Sequence, residues 1–123
     1  MAAYWVVEGT ELSVSAASIT SNPENVKAGT KSNPKNIYAG NMGIKIENYG
    51  SSIITDGNGK GNGVITGTSV NKINEKNIVL DTDSVEILVS GTSTNEITGV
   101  KTPVEEIVRV SISNAGQTEV KSN

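Results

Sequence analysis

Apolar and polar residues alternate with a period of two along several short stretches of this chain, and the stretches are separated by turn residues at close intervals. In GIKIE, Ile44 and Ile46 share one face while Lys45 and Glu47 share the other. The same rule sets Val85, Ile87 and Val89 together in SVEILVS, and Val108, Val110 and Ile112 together in EIVRVSI. Successive side chains on a strand point to opposite faces, so each stretch reads as a strand with one buried side. PVEEIVRV also admits a helical turn through Val104, Ile107 and Val108, but the β-branched residues and the period-two match favour a strand. Asn-Pro, Gly and Ser breaks leave no room for a convincing helix of ten or more residues.

Two internal echoes accompany the strands. SNPENVKAGT, from Ser21, is followed after one residue by SNPKNIYAGN, from Ser32, with six identities in ten positions and one β-branched anchor in each copy, Val26 or Ile37. GTSVNKI from Gly67 is matched by GTSTNEI from Gly91. Repeated strand and turn units predict stacked or wrapped β-structure with internal duplication. The expected fold is therefore all-β, a short-stranded sandwich or a wrapped β-unit, with residues 1–123 forming a single domain.

Composition sharpens this picture. Of 123 residues 35% are hydrophobic before glycine is counted, Ile and Val dominate that set, and Phe is absent. Cysteine and histidine are also absent, which removes disulfides, the common zinc, iron and copper ligands, and thiol or serine-histidine nucleophiles. The expectation is a protein that is not an enzyme, with no catalytic residue, cofactor or metal. A net charge of -3 and a single arginine, Arg109, argue against nucleic acid as a partner. No stretch approaches a membrane-spanning segment, and MAAYWVVEG lacks the basic start and long apolar run of a signal peptide, so synthesis in the cytoplasm is expected.

The glycine-rich DGNGKGNG, residues 56–63, is the most conspicuous candidate for chemistry. Counted from Asp56, a calcium loop would have Lys60 at a ligand position and Gly67 in place of the bidentate glutamate. Phosphate-loop and dinucleotide spacings fail as well, leaving a permissive glycine-rich connection. Asp81 and Asp83 in LDTDS would share a face if they lay on a strand, and read as a strand end or a weak cation contact. Arg109, opposite Val108 and Val110, suits an ion pair with a neighbouring strand or a partner. Tyr4, Trp5, Val6 and Val7 form an apolar start that either docks into the domain's own core or anchors another subunit. These four residues and Arg109 are the interface candidates.

Gly61 to Gly91 resembles the β-unit of PAAR-like proteins, the spike-tip components of phage tails and contractile injection systems. Ile73, Asn74 and Lys76 match a strand ending of the I-N-G-K-P type, Asp81 or Asp83 supplies an acidic closure, and Val70, Ile78 and Leu80 fill apolar positions. Glu75 stands where the family has a turn glycine, Asn77 replaces the proline, and the Pro-Ala-Ala-Arg signature and the metal ligands are missing. The resemblance implies a structural component that acts by docking to other subunits of a multi-protein assembly, such as a trimeric spike or baseplate, or to copies of itself. It would be made in the bacterial cytoplasm and then incorporated in a virion or injection particle. The competing expectations are a carbohydrate- or receptor-binding β-sandwich module, using Trp5, Tyr38 or Tyr49 with Asp81 and Asp83, and a capsid decoration protein.

Overall fold

A computed structural model describes residues 2–29 and 33–123 of the chain. The strands, in chain order, are β1 (Ala3–Tyr4), β2 (Glu11–Leu12), β3 (Ala17–Ile19), β4 (Glu24–Gly29), β5 (Pro34–Ile37) and β6 (Asn41–Tyr49). They continue as β7 (Gly59–Thr66), β8 (Lys72–Ile73), β9 (Lys76–Asn77), β10 (Ser84–Thr94), β11 (Lys101–Asn114) and β12 (Lys121–Ser122). No helix is present among the described residues, and so none that could cross a membrane. The all-β expectation is met, and PVEEIVRV lies within β11 as a strand.

Six strands form one antiparallel sheet in the order β2-β11-β10-β7-β6-β3. Its edge strands, β2 and β3, are separated in sequence only by residues 13–16, so the sheet curls until its edges nearly meet. The inward residues are those the alternation selects: Ile44 and Ile46 on β6, Ile87 and Val89 on β10, and Val108, Val110 and Ile112 on β11. The wrapped arrangement, not the sandwich, is the form the chain takes.

A second layer covers one end of this barrel. It consists of the β4-β5 and β8-β9 hairpins and the β1-β12 ribbon. Three short segments join the layers, centred on Val6, Tyr38 and Val79. The Val6 amide donates to the Val79 carbonyl (2.9 Å), the Val79 amide to the Tyr38 carbonyl (3.0 Å), and the Tyr38 amide to the Val6 carbonyl (2.9 Å), closing a ring. Flanking residues repeat the same relation, with Trp5 bridged to Leu80, Ile37 to Val7, and Ile78 to Ala39. The three central side chains enter the barrel core, whereas Val7, Ile37 and Ile78 build a second core under the hairpins. Each segment then leads into one pair of barrel strands: β2 and β3, β6 and β7, β10 and β11. The fold therefore has an approximate threefold, trefoil-like plan. At the opposite end Ile54, from the connection between β6 and β7, is fully buried and plugs the barrel.

Neither sequence echo coincides with this threefold plan. The first folds into a single hairpin in which one copy supplies β4 and the other β5, and only Ile37 of the two anchors is buried while Val26 is exposed. Its junction, residues 30–32, lies outside the described residues. In the second echo Gly67 to Ile73 runs through a loop into β8, whereas Gly91 continues β10.

The glycine-rich stretch also differs from its reading as a connection. Residues 56–58 form a turn with Gly57 at φ +63°, but Gly59, Gly61 and Gly63 belong to β7, in the middle of the sheet. Their alternation puts all three on the inner face, where the neighbouring strands already supply Ile44, Ile46, Ile87 and Val89. A six-stranded barrel is too narrow to hold a branched side chain at every inward position, so one strand contributes almost none. A Cβ on Gly61 would lie 2.6 Å from the Leu88 carbonyl oxygen, and one on Gly63 2.6 Å from Cγ1 of Ile87.

Two outcomes are expected from denaturant titration. Gly61→Ala and Gly63→Ala each destabilise by about 1–3 kcal/mol through overpacking. Combined with Ile87→Ala, the Gly63 change loses its penalty, while Gly61→Ala keeps most of its own because the carbonyl it meets is backbone. Separately, the β8-β9 hairpin turns through Asn74 (φ +50°) and Glu75 (φ +66°), the signature of a type I′ turn. Glu75→Gly relieves the left-handed strain and raises stability by about 1 kcal/mol, read from the same titration.

Candidate interaction surface

The outer face of the barrel is polar except across β7, β10 and β11. Leu88 and Ile107 are a cross-strand pair there, 55% and 66% exposed, and Val64 on β7 is 44% exposed. Their exposure follows from parity: strands that bury Ile87 and Val108 must turn Leu88 and Ile107 outward. The β10-β11 register and the pairing of Ser90 with Lys60 arrange this face in three rows. Lys60, Ser90 and Glu105 form the first row; antiparallel continuation from that pair sets Asn62 with the Leu88 and Ile107 pair in the second and Val64 with the Glu86 and Arg109 pair in the third. The two ion pairs among the described residues join Lys45 to Glu47 and Lys76 to Glu24, each at 2.7 Å, so Glu86, Glu105 and Arg109 stand on this face outside any ion pair. The Lys45 ammonium holds the Glu47 carboxyl below its usual range, with a smaller contribution from Lys60. Beyond the barrel the β10-β11 hairpin ends in a turn that carries Ile97, 95% exposed.

Of the five interface candidates named from sequence, only Arg109 lies on this surface. Val6 and Val7 are fully buried, one in each core, and are closed to a partner in this fold. Trp5 packs against the second core, and its indole N–H donates to the Ser122 hydroxyl (2.6 Å). Tyr4 pairs with β12 and stacks its ring 5.2 Å from the Lys121 ammonium. Gln117 fastens the same ribbon: its amide nitrogen donates to the carbonyls of Trp5 (2.9 Å) and Val120 (2.7 Å), and its oxygen accepts from the amides of Glu119 and Val120 (both 2.7 Å).

The aspartates serve structure. Asp81 and Asp83 lie on the turn before β10, not on a strand. Asp81 accepts the Tyr4 amide (3.2 Å), and Asp83, almost fully buried, accepts the Leu80 amide (2.8 Å) and the Thr68 hydroxyl. Tyr38 is buried, and its loss of solvent raises the phenol pKa. Of the sugar platform expected from Trp5, Tyr38 or Tyr49 with these two carboxylates, Tyr38 and Asp83 are buried, whereas Trp5, Tyr49 and Asp81 are half-buried. Between β2 and β3 an open cavity of about 310 Å³ marks where the barrel fails to close, walled by Leu12, Val14, Ala17 and Ile19.

Asp56 is bound within the protein too. Its Oδ2 accepts the hydroxyls of Thr92 (2.6 Å) and Thr94 (2.8 Å), while Asn58 exchanges two 2.9 Å hydrogen bonds with Thr92. This clasp ties the turn to the end of β10. Comparison with known proteins adds no relative: no protein-family model, curated protein or solved structure matches the chain.

The Thr92 and Thr94 hydroxyls lower the pKa of Asp56 from its ordinary 3.8. A lowered folded-state pKa means that the clasp stabilises the fold above the unfolded value and loses this contribution as pH falls through the folded one. Asp56→Asn is expected to melt at a lower temperature than the parent at pH 7, with the difference closing in scans taken below pH 3.8.

Proposed function

We propose that this chain is a non-catalytic structural component that works by docking to other proteins through the outer face of β7, β10 and β11. The observation that carries this reading is the outward Leu88 and Ile107 pair, flanked by Val64 and by charges outside any ion pair, on a barrel whose interior is filled. Apolar side chains gathered on a polar sheet face, with charged neighbours at the rim, have the make-up of a protein contact. The assembly suggested by the Gly61 to Gly91 resemblance is a phage tail or contractile injection particle, with the chain as a spike-tip, spike or baseplate piece. The Ile73 to Lys76 stretch that carries part of the resemblance is a tight hairpin with Glu75 in a left-handed conformation.

Gradient fractionation of assembled particles tests the reading, with the wild-type chain and Leu88→Glu compared side by side. Leu88 is exposed, so the substitution changes stability by less than about 1 kcal/mol. The wild-type chain is expected to sediment with the particles and the variant to stay in the soluble pool with an unchanged melting temperature. A wild-type chain wholly in the soluble pool overturns the proposal.

A further inference from the structure

The outer face is complementary in charge to itself, and this selects an occupant. We infer that a second copy of this chain packs on the face of β7, β10 and β11, about a twofold axis that crosses the strands along the row of Leu88 and Ile107. The inference rests on the docking reading above and names its partner.

Rotation about that axis exchanges the first row with the third and returns the middle row to itself. Leu88 and Ile107 then meet their own counterparts, which removes the most exposed apolar atoms of the face from water. Glu105 and Arg109 lie on the same strand, one row to either side of Ile107, so each Glu105 comes to face the other copy's Arg109 and two equivalent ion pairs form. Lys60 arrives over Val64 of the second copy, beside Glu86 on the adjoining strand.

The alternative twofold, running along β10, also pairs opposite charges, Lys60 with Glu105. It brings the two Glu86 side chains together near the axis, however, and sets Arg109 against Val64. Like charges at an interface core oppose association, so the axis across the strands is preferred. The absence of an intramolecular ion pair at Glu105 and Arg109 among the described residues leaves both free to pair between copies. With three apolar side chains per copy the strip is narrow, and the association belongs to the weak, reversible class.

Sedimentation equilibrium over a range of concentrations tests this directly. The purified chain is expected to shift reversibly from monomer to dimer. Glu105→Arg and Arg109→Glu each create two like-charge contacts and weaken the dimer at least about tenfold. The double variant Glu105→Arg with Arg109→Glu restores opposite charges across the axis and recovers association to within a few-fold of the parent. Melting curves verify that all variants fold. A wild-type chain that is monomeric at every concentration, single reversals without effect, a double variant as weak as the singles, or a trimer in place of a dimer each overturns the inference. If the chain is monomeric yet still enters particles in a Leu88-dependent way, the twofold contact is excluded and the docking reading stands.

Discussion

The ring of three backbone hydrogen bonds among Val6, Tyr38 and Val79 is the constraint on which the rest of the molecule depends. Each of these segments is buried on both sides, so its amides and carbonyls have no access to water and must pair with one another. A closed ring satisfies three donors and three acceptors in the plane between the cores. It also fixes where the chain enters each pair of barrel strands. The arrangement explains why two consecutive residues are buried in each segment, Val6 with Val7, Ile37 with Tyr38, and Ile78 with Val79: strand alternation sends one to the barrel and the other to the hairpin layer.

From this plate the polar groups acquire their roles. Asp81 and Asp83 hold the crossing between the Val79 segment and β10, where Asp81 exchanges bonds with Tyr4 of the first segment. Gln117 locks the last ribbon over the plate with four hydrogen bonds. Side chains that look reactive in isolation are thus consumed in joining layers. On the outer face of the barrel strand parity, not any special motif, leaves Leu88 and Ile107 exposed.

Much of the barrel is legible in the sequence because period-two alternation survives wherever one face of a strand is buried and the other is solvated. GIKIE, SVEILVS and EIVRVSI take the predicted faces. The threefold plan is not legible, because its repeat is carried by the triplets WVV, IYA and IVL, which share only apolar character and are unequally spaced. The visible echoes reflect turn chemistry instead: two Asn-Pro segments that pair as one hairpin, and two GTS segments in unrelated settings. The exposed strip could have been found by asking which apolar residues occupy the polar parity of a predicted strand. Leu88 between Glu86 and Ser90, and Ile107 beside Val108, answer to that description. For Trp5, Val6 and Val7 the sequence left two readings, the chain's own core or a partner, because an apolar start looks the same in either setting; the structure places them in and against its own two cores.

The glycines of β7 carry a final consequence for how the barrel finds its alignment. To their neighbours Gly59, Gly61 and Gly63 are interchangeable on the inner face, so a slip of β7 by two residues preserves its parity and meets little resistance from that stretch. Ile65, fully buried two residues farther on, is the first inward side chain large enough to jam such a slide. The registry of β7, and with it the placing of the residues it presents on the outer face, is therefore held at its two ends, by Ile65 and by the Asp56 and Asn58 clasp, with a smooth rail between them.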